Sequence, residues 1–313
     1  MSETCRICGG TPKARHVARE MMYGSRENFA YFECADCGCL QIAEIPADLA
    51  RHYPADYYSL DGGLPKKPSW KRRLAADWAY SRDGGLLGWA CHALKPNREM
   101  RLLGELGIAR DDAILDVGCG KGARVARLRQ FGFRAEGIDP HLDADVSLDG
   151  AVIARRATLD AVAGPYRLVM FHHSFEHLPD PHAAMAAARR LVDRDGRVLI
   201  RVPTCSSLAW EKYGIDWVQL DAPRHLFLFS RESLRRLAEG HGFRVERIED
   251  DSDGFQFWGS EMYRRDVPMN SPGAHAKKHP LFAAAELDGW ERQARELNAA
   301  GRGDQFAAIL APV

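Results

Sequence analysis

From residue 112 onward, short apolar runs alternate with stretches whose apolar residues recur at helical spacing. AILDVG, FRAEGID, YRLVMF and DGRVLIRVP have the length and composition of buried strands, and GDQFAAILAPV adds another. ARVARLRQFG, HAAMAAARRLVD and RESLRRLAEG lie between these runs and have the pattern of amphipathic helices. Strands and helices in alternation predict an α/β fold, with a largely parallel sheet and helices on both faces.

We divide the chain into three parts: a small module at 1–45, a connector at 46–110 and the α/β domain at 111–313. In the connector, HYPADYYSLDGGLPKKP is rich in Pro, Gly and Tyr and predicts an ordered loop. SWKRRLAADWAYSR and LLGWACHALKPNREMRLLGELG have helical spacing. KKPSWKRR places five basic residues around Trp70, a pattern that fits either the solvated start of a helix or a nucleic-acid patch.

Charge and composition limit the classes of partner. Lys plus Arg and Asp plus Glu number 43 each, so the formal net charge is zero, which argues against bulk attraction to nucleic acid or to an anionic membrane. The N-terminal stretch MSETCRICGG is polar, and no apolar run reaches the roughly 18 residues of a transmembrane helix. We therefore expect a cytoplasmic protein with no membrane partner, whose cysteines are metal ligands or small apolar residues.

Two copies of C-x-x-C-G lie in the first part of the chain. Cys5 and Cys8 form the first pair, and Cys34 and Cys37 form the second. Four thiolates suit a tetrahedral, structural Zn²⁺ site that leaves no open position for chemistry. A redox pair is the alternative, but it does not require two copies. The pattern predicts a zinc ribbon, and we expect its interior to be separate from that of the α/β domain.

The first predicted strand of the α/β domain ends in Asp116, and a glycine-rich turn follows it. Gly118, Gly120 and Gly122 let the backbone approach a ligand at the start of the next helix. The second strand ends in Asp139, whose carboxylate can accept hydrogen bonds from ribose hydroxyls. The turn can also be fitted to the dinucleotide pattern G-x-G-x-x-A, which leaves a dehydrogenase as an alternative.

The segment D-V-G-C-G-K-G, with a glycine at every second position, resembles motif I of the class I S-adenosylmethionine-dependent methyltransferases. The resemblance covers roughly residues 100–255 and extends to the last strand. It implies a Rossmann-like methyltransferase sheet whose final strand is inserted antiparallel, and S-adenosyl-L-methionine as the cofactor. The cofactor-binding residues that it implies are Asp116, Gly118, Cys119, Gly120, Gly122, Asp139, Pro140 and His172, with Asp139 at the ribose.

Two further stretches resemble a broad group within these methyltransferases. FHHSFEHLPDP is similar to the end of strand four in enzymes that carry H-x-x-E-H-L, and GIDWVQLDAPRHLFLFSRESL is similar to a later stretch of the same group. A zinc module before such a domain is familiar from sugar methyltransferases and from enzymes of glycan and natural-product pathways. The long extra domain of the sugar C-methyltransferases does not follow here, so we expect O- or N-methylation.

The heptapeptide FHHSFEH concentrates groups that transfer protons or bind metals. Strand four is expected to end at about Phe171 or His172, at the sheet edge where ligands of such folds bind. A neutral histidine is a suitable general base, and we choose His173. Glu176 and His177 would orient it, and His225 of PRHL could approach from a later loop.

Two alternatives to the general base remain open at this stretch. The microRNA-end methyltransferases, which it resembles in part, bind a divalent metal through E-x-x-E-H and a distant histidine. His173 stands where their first glutamate does, which lowers the affinity expected for a hard cation such as Mg²⁺. The other alternative is a structural turn in which Glu176 and His177 satisfy backbone groups.

We expect an S-adenosylmethionine-dependent methyltransferase that acts on a sugar, a glycan or another small hydroxylated metabolite. An RNA methyltransferase that uses the zinc module and the basic connector as grips is the alternative. Aromatic residues are expected in the loops after the late strands, where they either stack on the acceptor or anchor the loops: Trp210, Tyr213, Trp217 and Trp258. The sequence determines neither the acceptor nor the oligomeric state.

Overall fold

A mixed sheet of eight strands organises the computed structural model, which describes residues 4–54, 63–274 and 279–313. Its strands are β4 (Ala113–Val117), β5 (Arg134–Ile138), β6 (Val146–Leu148), β7 (Ala151–Arg155), β8 (Tyr166–His172), β9 (Val192–Pro203), β11 (Phe243–Asp250) and β12 (Gln305–Pro312). Their order across the sheet is β11-β12-β9-β8-β4-β5-β7-β6. β8, β4 and β5 run parallel to one another, and β9 and β7 continue this parallel arrangement on either side.

The last strand is inserted between two earlier ones. β12 pairs antiparallel with β9 on one side and with β11 on the other. The expectation of a largely parallel sheet with an antiparallel final strand is therefore confirmed, and β8 ends at His172, where strand four was predicted to end.

The described helices are α1 (Trp70–Ser81), α2 (Gly85–Leu94), α3 (Arg98–Glu105), α4 (Ala123–Gln130), α5 (Pro181–Leu191), α6 (Leu208–Tyr213), α7 (Arg231–Glu239), α8 (Phe255–Arg264) and α9 (Ala284–Ala299). α5 begins as its sequence predicts, with the Asp180 side chain accepting a hydrogen bond from the Ala183 amide and Pro181 in the first turn. α1 to α3 lie in the connector, in agreement with its helical spacing. The predicted loop at 52–68 falls partly on 55–62, which lie outside the described residues.

Neighbouring residues of a central strand face opposite sides of the sheet, and different helices cover the two sides. On β8, Val169 and Phe171 belong to one buried cluster, and Leu168 and Met170 belong to the other. The first cluster also contains residues of α5 and α7, whereas the second contains residues of α1, α3 and α4. Helices on both faces of the sheet are confirmed.

The N-terminal part forms a second, smaller antiparallel sheet of β1 (Pro12–Arg19), β2 (Asn28–Cys34) and β3 (Leu40–Ile42). A short strand from much later in the chain, β10 (Phe227–Leu228), completes it by pairing with β3. Tyr31 and Phe32 of β2 belong to the same buried cluster as Phe171 of the central sheet. The expectation of a separate N-terminal interior is therefore wrong, because β10 brings the apolar side chains of both sheets into one core.

Candidate functional site

The turn after β4 is built from glycines that no other residue can replace without strain. Gly118, Gly120 and Gly122 have φ values of +72°, +52° and +77°. A Cβ atom on Gly118 would lie 2.4 Å from the Cβ atom of Ser174, so this turn touches the loop that follows β8. The Ser174 hydroxyl donates a 2.6 Å hydrogen bond to the Val117 carbonyl, which holds the two segments together.

Asp139, at the end of β5, supports this turn from the side. One carboxylate oxygen accepts a 2.9 Å hydrogen bond from the Gly120 amide, and the other accepts one of 2.9 Å from the His141 amide. Pro140 lies exposed between Asp139 and His141, and Cys119 is half-buried in the turn. Asp139 is itself 8% exposed, so its carboxylate can still reach a ligand that lies over the turn.

Asp116 is buried in β4, next to Val117, the last residue of the strand before the glycine turn. Burial raises the pKa of its carboxyl group to about 7, although the Arg124 guanidinium acts in the opposite direction. Arg124 in turn forms an ion pair of 2.5 Å with Glu99 of α3. A carboxyl group held in this state favours a cationic ligand, since a nearby positive charge stabilises its ionised form.

His172 closes the sheet edge beside these groups. Its two ring nitrogens are buried and have no hydrogen-bond partner among the described residues. Burial lowers the pKa of His172 well below its ordinary value, so the imidazole is neutral. A buried neutral ring of this kind has both a donor and an acceptor left for a ligand.

The loop after β8 carries His173, whose backbone has a positive φ of 51°. A nitrogen of the Arg201 guanidinium donates to Nε2 of His173 at 2.8 Å, because arginine has no acceptor. The proton of a neutral His173 ring must then lie on Nδ1, which is 3.5 Å from an oxygen of Glu176. The lone pair of His173 is therefore already used within the protein.

In His177 and His225, the ring nitrogen that is bonded within the protein is Nδ1 rather than Nε2. Nδ1 of His177 lies 2.9 Å from the Arg224 carbonyl, and Nδ1 of His225 lies 2.7 Å from the Gln219 carbonyl. A carbonyl only accepts, so Nδ1 carries the proton in both rings and Nε2 keeps its lone pair. The two ring centroids are 4.8 Å apart.

Glu176 lies between these histidines and is completely buried. Neither carboxylate oxygen has a hydrogen-bond partner among the described residues, and the nearer one is 3.9 Å from Nε2 of His225. Burial raises the pKa of Glu176, but the contact with His173 and the neighbouring histidines outweigh burial and lower it. Ligand atoms of Glu176, His177 and His225 all lie within 4.8 Å of one another, so these three residues could hold a metal ion.

Chain segments far apart in sequence hold His225 at this edge. The Leu226 amide donates to the Glu176 carbonyl at 2.9 Å, and the Tyr31 hydroxyl donates to the His225 carbonyl at 2.9 Å. Arg224 is fully buried between Asp221 and Glu20, with ion-pair distances of 2.6 Å and 2.8 Å. Sequence analysis missed Arg224 and Arg201; an arginine next to the histidine in PRHL was the only local signal.

The four N-terminal cysteines converge as their pattern predicts. Their Sγ atoms all lie within 4.8 Å of one another. Sγ of Cys5 is 3.6 Å from that of Cys37, and Sγ of Cys8 is 3.5 Å from that of Cys34. Tetrahedral ligands at the usual Zn–S distance are about 3.8 Å apart, so the donor set fits zinc. The Gln41 amide also donates to Sγ of Cys5 at 3.0 Å, as it would to a thiolate.

The aromatic residues expected in substrate loops have other positions. Trp210 and Tyr213 lie on α6, and Trp258 lies on α8. Trp217 is fully buried, and its indole N–H donates to Asp304 at 3.0 Å. Trp217 is thus an anchor of the fold rather than a surface for stacking.

The sheet order, the glycine turn and the polar loop after β8 together define a class I methyltransferase fold. Residues 89–248 match the family model described as a methyltransferase domain. This match covers slightly more than half of the chain, and the protein belongs to that family. S-Adenosylmethionine is therefore its cofactor, and the dinucleotide alternative is set aside.

Two curated relatives are similar over part of their length. The C-methyltransferase NovU of Streptomyces niveus is 30% identical over 151 residues, which are 45% of this chain and 34% of that protein. A ubiquinone biosynthesis O-methyltransferase of Pectobacterium atrosepticum is 29% identical over 124 residues, 36% of this chain and 52% of that protein. The chain thus matches about a third of the length of one relative and about half of the other.

A solved structure, a SAM dependent methyltransferase from Archaeoglobus fulgidus, is 20% identical, with 73% of this chain and 100% of that chain covered at a TM-score of 0.43. None of the described helices is both long enough and apolar enough to cross a membrane.

Proposed function

We propose that the protein transfers the methyl group of S-adenosylmethionine to a hydroxyl or amine of a sugar, a glycan or another small hydroxylated metabolite. The observation that carries this proposal is the contact between the Gly118 turn and Ser174. Through it, the proposed cofactor site and the histidine loop share one edge of the sheet. The names of the relatives, one an O-methyltransferase and one a C-methyltransferase, support methyl transfer and leave the acceptor to experiment.

The residues at the turn fit the proposed cofactor. The backbone at Gly118, Cys119 and Gly120 would hold its amino-acid part, and Asp139 would accept hydrogen bonds from the ribose. Asp116 would face its positive charge. Bound there, the cofactor supplies an electrophilic methyl group, and the protein has to align the acceptor with it and remove the acceptor proton.

For the proton, we propose His177 as the general base rather than His173. Nε2 of His173 already accepts from Arg201, whereas Nε2 of His177 is free and its ring is only partly buried. Burial lowers the pKa of His177, which keeps the ring neutral and able to accept a proton. During methyl transfer to an acceptor hydroxyl, Nε2 of His177 would take up the proton that the hydroxyl loses.

Alanine variants of the histidines test this assignment in a methyl-transfer assay with labelled cofactor. We expect His177→Ala to lower turnover by about 10²–10⁴, the usual effect of losing a general base, with cofactor affinity nearly unchanged. His173→Ala should have a smaller effect, and His182→Ala, on the surface of α5, serves as the control. A larger loss in His173→Ala would return the role to His173.

A divalent metal at Glu176, His177 and His225 is a second candidate, favoured by the buried carboxylate of Glu176, whose oxygens have no hydrogen-bond partner among the described residues. Two imidazoles and one carboxylate suit a transition ion better than Mg²⁺. If a chelator abolishes activity and a divalent ion restores it while the N-terminal zinc stays bound, the metal replaces the general base.

We also propose structural zinc at Cys5, Cys8, Cys34 and Cys37, supported by the distances between their sulfur atoms.

The methyl acceptor is best found by a methyl-transfer screen over sugar nucleotides, glycans, phenols and RNA. Activity on RNA alone, with binding that weakens steeply as salt rises, would favour the RNA methyltransferase instead.

A further inference from the structure

The helical hairpin of α1 and α2, defined here as residues 70–94, leaves large apolar side chains in solvent. α2 has the sequence GLLGWACHAL, yet Gly88 is its only buried residue. Leu86 is 86% exposed and Leu94 is 88% exposed, and Leu87, Trp89 and Trp70 are each more than half exposed. These five make up half of the exposed large apolar residues in the described part of the chain. Such a concentration marks an interaction surface.

The packing of the hairpin explains why these side chains point outward. α2 approaches α1 through Gly88, where an added Cβ atom would lie 3.1 Å from Cβ of Trp78 and 3.0 Å from the Asp83 carbonyl. Gly88 has no side chain, so the two helices approach each other closely at this position. A contact between the rings of Trp78 and His92, whose centroids are 4.8 Å apart, also joins the two helices. Leu86 and Leu94 are almost completely exposed, so packing within the hairpin does not account for them.

The hairpin and the residues just before it carry an excess of positive charge. Residues 63–94 contain six basic and two acidic side chains, although the whole chain has a net charge of zero. Five of the basic residues precede or begin α1: Lys66, Lys67, Lys71, Arg72 and Arg73. Of these, Lys71, Arg72 and Arg73 are exposed in the first turn of α1, next to exposed Trp70.

We propose that the hairpin docks the protein on the surface of a bilayer that contains anionic phospholipids. Leucines that enter the acyl region, tryptophans at the headgroup level, and Lys and Arg near the phosphates are the features by which helices bind in the plane of a membrane. RNA would use the basic cluster, but it gives no reason for three exposed leucines on α2. No described helix can cross a bilayer, so the attachment is peripheral.

From the net charge of zero, the sequence analysis predicted no membrane partner. The charge averages over the whole chain, whereas binding depends on one patch. α3 follows the hairpin and contacts α4, the helix that begins after the glycine turn, through the ion pair of Glu99 with Arg124. Docking would therefore hold the catalytic domain close to the membrane.

Co-sedimentation of the full chain with vesicles tests the proposal. We expect binding to phosphatidylcholine vesicles that contain phosphatidylglycerol and little binding to phosphatidylcholine alone. Two variants separate the contributions of charge and apolar contact. One combines Lys66→Gln, Lys67→Gln, Lys71→Gln, Arg72→Gln and Arg73→Gln, and the other combines Leu86→Ser, Leu87→Ser, Trp89→Ser and Leu94→Ser. Each should lower vesicle affinity by about tenfold or more, with unchanged thermal unfolding.

The matched control removes the same number of exposed charges elsewhere: Arg127→Gln, Arg194→Gln, Arg235→Gln, Arg292→Gln and Arg295→Gln. It should bind anionic vesicles like the unaltered protein. The proposal is overturned if the control loses as much affinity as the basic-cluster variant, or if the serine variant binds fully. RNA binding without vesicle binding would also overturn it, as would a dimer that the serine variant dissociates and that does not bind vesicles.

Discussion

Single hydrogen bonds decide which groups at the candidate site can react. Three histidines lie in one polar cluster, but their hydrogen bonds differ. The Arg201 guanidinium donates to Nε2 of His173. Backbone carbonyls accept from Nδ1 of His177 and of His225 and so fix the tautomer of both rings. Among the described residues, Nε2 of His177 has no hydrogen-bond partner, whereas Nε2 of His225 lies 3.9 Å from carboxylate oxygens of Glu176 and Asp221. The pattern H-x-x-E-H does not distinguish these cases, because Arg201 and the Gln219 carbonyl come from other segments.

Asp116 gives a prediction that depends on pH. The raised pKa of about 7 means that the carboxyl is protonated in the free protein below that pH. A cationic cofactor favours the ionised form, so we expect cofactor affinity to fall as the pH drops below about 7. Calorimetric titrations at several pH values check this, and Asp116→Asn should remove most of the dependence. An identical pH profile in Asp116→Asn would contradict the assignment.

The same shift acts on stability with a definite sign. The folded pKa of Asp116 lies above the unfolded value of about 3.9. Its contribution to the free energy of unfolding is therefore fully present below about pH 4 and is lost as the pH rises through about 7. Relative to the unaltered protein, Asp116→Asn should gain stability on going from pH 5 to pH 8.

Among the secondary-structure elements, β3 and β10 connect the N-terminal sheet to the edge of the central sheet that carries the histidine loop. Only two residue pairs join these strands, Phe227 with Gln41 and Leu228 with Leu40. The Ile42 amide also donates to the Leu226 carbonyl at 3.0 Å, and the Leu226 amide donates to Glu176. Hydrogen bonds thus run from the N-terminal sheet to the histidine loop.

Loss of the proposed zinc should therefore affect more than the N-terminal module. We expect Cys8→Ser to lower the melting temperature by roughly 5 °C, if the lost metal contributes about 3 kcal/mol, and to reduce methyl transfer as well. Differential scanning calorimetry and the labelled-cofactor assay measure the two effects. Cys91→Ser, a cysteine of α2 outside the cluster, is the control. Elemental analysis that finds no zinc in the native protein would rule this prediction out.

At the scale of the whole molecule, one buried arginine joins three parts of the chain. Arg224 pairs with Asp221 and with Glu20, and it also donates to the His52 carbonyl at 3.2 Å. It is completely buried, and the negative partners raise its pKa even though burial opposes this. These contacts and the shared core predict one cooperative unfolding transition.

Arg224→Met tests this connection. It leaves two buried carboxylates without their partner, and we expect a loss of about 3–5 kcal/mol in the free energy of unfolding. Denaturant unfolding measures the loss. Lys13→Met is the control. It breaks a surface ion pair with Glu33 in which the Lys13 side chain is 63% exposed, and it should lower the free energy of unfolding by less than about 1 kcal/mol. Two separate transitions in the unaltered protein would show that the parts fold independently.

Local sequence patterns were enough to predict the individual strands, helices and turns. Apolar periodicity located the strands and helices of the α/β domain, Asp180 and Pro181 marked the start of α5, and the glycines after Asp116 marked the turn at the sheet edge. Each of these signals depends on residues that are neighbours in the chain, so a local pattern is sufficient to read it.

The contacts between distant segments of the chain could not be predicted from such patterns and are seen in the folded protein. His225 lies beside Glu176 and His177, β10 completes the N-terminal sheet, and Arg224 reaches Glu20 across 204 positions of the chain. These contacts depend on strand register and on the path of the chain around a common core, which no local pattern encodes. For the same reason, the sequence predicted a separate interior for the N-terminal module, whereas the fold joins that module to the buried cluster on one face of the central sheet.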